Sequence, residues 1–499
     1  MIGDKTDQKN DDDKDSDKDK KKKVEPLEFD LPNAKYRIVR LTPGAGSYAD
    51  YMLNNEGTKF YYLSGGDLWE KDIRKGNTRV LTKGAGYSSL VPDSKGQNVF
   101  LGGSGIYKVN LANGSKEKVE FAAEREYSPA AEREYMFDHM HNQVKNKFYD
   151  PKLHGVDWDF YGKVYRRFLP HIDNGYDFAE LLSEILGELN ASHTGGRYYA
   201  PNNARTTATL GAFYDPTHQG KGLKVAEVIN RGPLSAKSAD IKPGDVILAI
   251  DGTTIEPGAD YFPLLEGKSG KRVRLTVKRK GGKTEDVTVK PVSSVSSLLY
   301  QRWVERNQAI VDSVSGGRIA YVHVQGMDSP SFRTVFSELL GKYRNRDAVV
   351  VDTRWNGGGW LHNDIAQLLS GREYVRFNPR GRYIGSEPFT QWTKPSAMLI
   401  NESNYSDAHG TPFVYKTLGI GKLVGAPVPG TMTAVWWETQ VNPSIVFGIP
   451  QVTTMDMQGN VLENTQLNPD ITVYNNPAEV MRGHDAQLIE AVKSLMNKE

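Results

Sequence analysis

Ala397-Met398-Leu399-Ile400-Asn401-Glu402-Ser403-Asn404-Tyr405-Ser406-Asp407-Ala408-His409-Gly410 is the stretch around which this chain is organised. Its first four residues form an apolar run that reads as a buried strand, and Thr411-Pro412-Phe413-Val414-Tyr415 beyond it reads as the opening of a helix. A serine at a strand-to-helix turn has its hydroxyl pushed into the open at the end of a sheet. Free N–H groups of the new helix lie beside it, where they can stabilise an oxyanion. The same Ser-Asp pair also suits an ordinary helix cap. The stretch by itself leaves nucleophile and cap both open.

Bulk properties narrow the field. A chain of 499 residues has room for about three or four domains. Its 38% hydrophobic and 25% charged content suits soluble globular domains with a polar tail. A net charge of +2 offers no basic field that would point to nucleic acid. No apolar run approaches the length of a membrane span, and the N-terminus has no signal peptide. At face value this favours the cytoplasm, with the periplasm as the alternative if a leader was lost with a missing N-terminal portion. The absence of cysteine excludes disulfides, thiolate zinc sites and a cysteine nucleophile. Any catalysis must therefore use hydroxyl, imidazole, carboxylate or amine groups, and no cofactor or metal is called for.

Residues 1–30 read as a disordered, charged linker: within 1–23 eight Asp and eight Lys are mixed together almost without apolar groups. Residues 34–121 hold two similar units. Phe60-Tyr61-Tyr62-Leu63 with Asp67-Leu68-Trp69-Glu70 is echoed about 39 residues on by Val99-Phe100-Leu101 with Ile106-Tyr107-Lys108-Val109. That period suggests two blades of a β-propeller. A closed propeller usually takes at least four blades, so the chain reads as the C-terminal portion of a longer protein, with an unrelated β-meander as the alternative. Residues 122–205 are helical. Phe178, Leu181, Leu182, Ile185, Leu186 and Leu189 fall on one face of a helix for which Asp177 and Glu180 predict a capping box. Ala191-Ser192-His193-Thr194-Gly195-Gly196 follows it, a histidine placed to project into a cleft or to answer the helix dipole.

Residues 206–292 return to β character, and Ile241-Lys242-Pro243-Gly244-Asp245-Val246-Ile247-Leu248-Ala249-Ile250-Asp251-Gly252 closely resembles the signature of PDZ domains, which bind chain ends by adding a strand to a sheet edge. Thr209-Leu210-Gly211-Ala212-Phe213 is a loose match to the carboxylate-binding loop, and a purely structural module is the alternative. Residues 293–499 read as an α/β domain. The run Ala348-Val349-Val350-Val351-Asp352 predicts a strand buried on both faces. It ends in Thr353-Arg354-Trp355-Asn356-Gly357-Gly358-Gly359, where the glycines would let backbone donors approach a ligand. The fold class expected is thus multidomain α+β: partial propeller blades, a helical subdomain, a PDZ-like β domain and an α/β catalytic domain.

In this order, Ser192-His193-Thr194, the PDZ-like string, Asp352-Thr353-Arg354-Trp355-Asn356-Gly357-Gly358-Gly359 and Asn401-Glu402 through Ser406-Asp407 resemble the catalytic half of the tricorn protease family and, more widely, the C-terminal processing peptidases. The resemblance covers roughly residues 129–480. It implies a serine endopeptidase that hydrolyses peptides or unfolded polypeptides, with Ser406 as nucleophile, His193 as base, and Glu463 and Ser192 completing a tetrad. It places the oxyanion donors at Asp407 and at Gly357 or Gly358. It also links Asp407 to substrate binding with a basic preference, and implies a hexameric homo-oligomer.

The chemistry is coherent on its own terms. Histidine can take a serine's proton near neutral pH, a carboxylate behind the imidazole fixes its tautomer, and two backbone donors hold the tetrahedral intermediate. The processing peptidases use a lysine instead, but Val424-Gly425-Ala426-Pro427-Val428-Pro429-Gly430-Thr431-Met432 has none, and Lys416 and Lys422 sit outside that pattern. His139 and His141 are spaced by two, which suits packing better than a metal. His409 reads as a substrate-contact or surface residue. Glu402 and Glu438 stand beside Glu463 as acids that spacing does not separate. A PDZ-containing binding protein without catalysis is the rival in a different class.

Overall fold

The computed structural model describes residues 30–84, 86–124, 126–201 and 206–496. The charged tract of residues 1–29 lies outside them. The chain divides into two compact units, Met1–Glu126 and Tyr127–Glu499.

In the first unit, alternation of apolar and polar residues produces two four-stranded antiparallel sheets, each with its strands in sequence order. Lys59–Ser64 and Asp67–Asp72 pair in a hairpin closed by Gly65-Gly66. Both glycines have positive φ, as a two-residue turn between twisted strands requires. Tyr62 lies opposite Trp69 with its ring stacked at 6.1 Å, and one core gathers Leu63, Leu68, Leu90, Val99 and Leu101 from both sheets. Among the described residues these sheets do not close into a barrel or a propeller.

The second unit opens with helices α1 (Pro129–Lys147), α2 (Trp158–Arg166) and α3 (Gly175–Gly187). The apolar face read from the sequence is buried along α3 from Phe178 to Leu186. Its cap, however, is Asn174, whose side chain accepts the Asp177 N–H at 2.9 Å. Asp177 therefore lies in the first turn, where the helix dipole favours it. These helices pack on Ile445, Phe447 and Ile449, which belong to a strand more than 250 residues beyond the end of α3. That strand, Ile445–Thr453, pairs on one side with Thr433–Thr439 and on the other with Gly195–Tyr198. The three-stranded sheet so formed carries the segment after α3 to residues 433–453 of the C-terminal part of the chain.

Next comes an antiparallel sheet in which Ala212–Tyr214, Leu223–Val228, Val246–Ile250, Val273–Lys278 and Thr284–Val289 lie in that order. Val225, Leu234, Ile241, Ile247 and Leu275 fill its core.

The last part is a five-stranded parallel sheet, ordered Ile319–His323, Ala348–Asp352, Ser396–Ile400, Lys422–Gly425 and Ile471–Thr472. The first three strands are buried at every position, because helices cover both faces of the sheet. On one face lie α4 (Ser296–Ser315) and α9 (Ala486–Met496). On the other lie α5 (Ser329–Ser337), α6 (His362–Leu369) and α7 (Asp407–Thr417), while the short α8 (Pro477–Met481) precedes α9. Helix α7 starts at Asp407, four residues before the predicted opening, so Pro412 falls inside it. The helix tolerates this because the Ala408 carbonyl, which Pro412 has no N–H to serve, accepts Asn404 Nδ2 at 3.0 Å instead.

Beneath the ends of the central strands sits a buried ion network. Arg354 is 2% exposed and binds the fully buried Asp352 through Nε and Nη2, and it reaches Asp485 and Gln487 through Nη1. Tyr321 donates to the same Asp352 at 2.9 Å. Despite burial, the guanidinium holds the Asp352 carboxyl below its ordinary pKa. Removing one partner of such a pair strands the other charge, so Arg354→Met is expected to destabilise this unit by about 3–5 kcal/mol. Asp352→Asn combined with Arg354→Met should recover part of that loss, as read by denaturant unfolding.

Candidate active site

Ser406 joins the Ser396–Ile400 strand region to α7 with φ 58° and ψ −126°. A residue with a side chain rarely adopts this backbone, at a cost of about 1–3 kcal/mol. Ser406 stands at the cap position of α7, yet its side chain makes no capping hydrogen bond. The hydroxyl is left for other chemistry.

Several neighbours hold the turn. The Ser406 N–H donates to Thr431 Oγ1 at 3.0 Å, and the Thr431 N–H donates to His409 Nδ1 at 3.2 Å. His409 is therefore a buried positioning group, 1% exposed, and not the surface or substrate-contact residue expected. Burial lowers its pKa to about 4, so it stays a neutral acceptor. Tyr405 N–H donates to the Asn356 carbonyl at 3.0 Å, tying the turn to the glycine loop. Gly358 has φ +97°, and a Cβ there would meet Ser406 Cβ at 2.5 Å. Only glycine lets the two loops approach so closely.

Asn356, fully buried, organises that loop. Its Nδ2 donates to the Val324 carbonyl at 2.7 Å and its Oδ1 accepts the Gly358 N–H at 2.8 Å. The Gly358 donor is thereby occupied. The N–H groups of Gly357 and Asp407 make no hydrogen bond among the described residues, and both residues line the cavity in front of Ser406. The Asp407 carboxylate points elsewhere: it accepts the N–H groups of Leu361 at 2.5 Å and His362 at 3.0 Å, and pairs with His362 Nδ1 at 2.5 Å.

Across the cavity, His193 is held at φ 64° just past α3, and its N–H donates to the Tyr405 hydroxyl at 2.6 Å. Its Nδ1 lies 2.8 Å from Ser192 Oγ and 3.0 Å from Thr433 Oγ1. Ser192 donates its N–H to Glu463 Oε1 at 2.5 Å and its hydroxyl to Oε2 at 3.0 Å. With its one proton given to the carboxylate, Ser192 Oγ accepts from His193 Nδ1–H. That tautomer leaves Nε2 as the basic atom. The carboxylate thus acts on the imidazole through a serine, not by direct contact. Burial raises the Glu463 pKa and lowers that of His193 to about 4.

Ser406 and His193 line one cavity of about 440 Å³ without a hydrogen bond between their side chains. The other sequence candidates lie apart from it. Glu402 is exposed, and Glu438 pairs with Lys147. Lys416 is committed to Asp470 at 3.0 Å and to the Asn468 carbonyl. His141 stacks on Trp158 and bonds its carbonyl, and no group of three His, Asp or Glu among the described residues could hold a metal. Thr431, Thr433 and Tyr405 escaped sequence reading, since a hydroxyl that supports a backbone or an imidazole carries no spacing signature.

Comparison with known proteins matches residues 129–187 to the tricorn protease C1 domain, 217–294 to the tricorn protease PDZ domain and 318–473 to peptidase family S41. Tricorn protease homolog 1 of Streptomyces coelicolor is 30% identical over 73% of this chain and 35% of its own length. The tricorn protease of Thermoplasma acidophilum is 23% identical over 96% of this chain and 45% of its own. A crystal structure of tricorn protease superimposes with a TM-score of 0.76 at 21% identity, covering 89% of this chain and 44% of that one, a likeness of fold. The chain thus spans between a third and a half of the length of these relatives.

Gly358→Ala would force a Cβ into Ser406, so the substitution is expected to leave the fold intact by circular dichroism while slowing reaction of Ser406 with an electrophilic probe on the order of 10²-fold, the size of effect that goes with losing one preorganised element of such a site.

Proposed function

The chain belongs to the tricorn protease family, and on that premise we propose that it hydrolyses peptide bonds in peptides or unfolded polypeptides through Ser406. His193 Nε2 takes the hydroxyl proton as Ser406 Oγ attacks the scissile carbonyl carbon. The N–H groups of Gly357 and Asp407 receive the developing oxyanion, Gly357 being preferred to Gly358 because its donor is unspent. The imidazolium then protonates the leaving amine, and a water activated by the same nitrogen releases the acyl group. Glu463 and Ser192 hold the tautomer and stabilise the imidazolium, with Thr433 as a second support at Nδ1. The Asp407 carboxylate, engaged with Leu361 and His362, keeps the glycine loop in register with the serine. Upstream, we read the two sheets of the first unit as successive propeller blades, each a meander of four strands in sequence order.

One observation carries this reading: a serine whose hydroxyl does not cap its helix shares a cavity with a histidine whose far nitrogen is held by a serine–glutamate relay. Labelling with a fluorophosphonate, followed by mass mapping, tests it. Wild type should be modified on the peptide containing Ser406, Ser406→Ala should not, and His193→Ala should react far more slowly. No label on a folded wild-type chain would overturn the peptidase reading in favour of a binding protein.

The low pKa of His193 also sets a pH profile. Because the neutral imidazole is the working form, lowering its pKa from 6.5 to about 4 extends activity toward acid. The acid limb of kcat/KM for a peptide substrate should have its midpoint well below 6.5, and a midpoint at or above 6.5 would mean that His193 is solvated during turnover.

A further inference from the structure

Resting on the peptidase reading, we propose that Arg197, stacked on Trp437 at the edge of the active cavity, is a carboxylate-recognising subsite that selects substrates bearing an acidic side chain or a terminal carboxylate near the cleaved bond.

The placement follows from the three-stranded sheet. Arg197 is paired with Val446, and Trp437 with Gly448, which is itself opposite Gly195. Residues two apart on a strand share a face, so Arg197 and Trp437 face the same side with bare Gly448 between them. A Cβ at Gly448 would meet the Trp437 ring at 3.3 Å, so the indole lies across a gap that glycine leaves. The Arg197 guanidinium sits 3.6 Å from the indole centroid. Such stacking occupies the face of the planar cation and leaves its in-plane N–H donors at the edge, a fork that matches a carboxylate.

Charge gives the second argument. Arg197 and Asp407 are the two residues lining the cavity that carry a formal charge at neutral pH. Both oxygens of Asp407 are engaged, one by the N–H groups of Leu361 and His362 and the other by His362 Nδ1, so its carboxylate is already satisfied within the protein. Arg197 makes no ion pair with a carboxylate among the described residues. Arg197 is therefore the charged cavity residue left free to meet a substrate carboxylate.

Binding to the full chain carrying Ser406→Ala tests this without any need for turnover. Fluorescent peptides would differ only in Glu, Gln or Lys at single positions, each prepared with a free or an amidated C-terminus, and anisotropy would give Kd. An acidic peptide should bind about tenfold more tightly than its Gln counterpart, in keeping with one charge-assisted hydrogen-bonded pair. Arg197→Gln should abolish that difference, while Arg197→Lys keeps part of it. Dependence on the Glu position with an amidated end identifies a side-chain carboxylate, and dependence on the free end a terminal one. Equal Kd values for the Glu and Gln peptides and for both ends, a difference that survives Arg197→Gln, or no binding by any peptide would each overturn the subsite. Failure of the underlying peptidase reading shows separately, as absence of fluorophosphonate label on wild-type Ser406.

Discussion

The backbone at Ser406 is the constraint on which the site depends. A φ of 58° with ψ of −126° is unfavourable for serine, and it persists only because surrounding contacts over-determine it. Thr431 accepts the serine N–H, buried His409 holds Thr431, Asn356 receives the N–H of Tyr405, and Gly358 withholds a side chain where one would collide. These contacts turn the hydroxyl away from the helix cap it would otherwise make. The first free N–H of α7 is left beside it. Strain and preorganisation are here two descriptions of one arrangement.

That turn has a rigid base. The parallel sheet ends at Asp352 and Ile400, and the loops that follow these strands carry the glycines and the serine. Under them Arg354 bridges Asp352 and Asp485, joining the end of a central strand to the start of α9. Most of the network's donors and acceptors are paired with one another, which a buried charge requires. Its members lie behind the loops and not in the cavity, so the Asp352-Thr353-Arg354 portion of the motif is architectural, while Asn356 through Gly359 shape the site.

The proposed base reaches this turn by a different route. His193 follows the helical subdomain, far from Ser406 in sequence, and the strand Ile445–Thr453 brings it in by pairing with Gly195–Tyr198 while its own residues pack against α1 and α3. Its other neighbour, Thr433–Thr439, supplies Thr433 to the imidazole and Trp437 to Arg197. One small sheet thus sets the base, its support and the proposed carboxylate subsite together, so a change in its register would move all three.

Local pattern made part of this legible. The apolar run before Asp352, the one-faced periodicity of α3, the string from Ile241 to Gly252 and the order of the Ser192-His193, glycine and Ser406-Asp407 motifs are properties of neighbouring residues, and they sufficed for a mixed α/β architecture; the roles expected of Ser406, His193, Ser192 and Glu463 came from the family resemblance that those motifs carry, not from spacing. Long-range contacts lay beyond such reading. Choosing Glu463 over Glu402 and Glu438 on geometric grounds depends on a partner 271 positions away, at Ser192. Burial of His409, the spent donor of Gly358, the saturated carboxylate of Asp407 and the stacking of Arg197 over a glycine all arise where separate segments meet. Sequence determined which chemical groups the chain carries and which local elements present them. Tertiary structure alone decided which donors and charges remain unspent at the cavity, because a hydrogen bond or an ion pair is satisfied by whatever folding brings within 3 Å or so, whatever its distance along the chain.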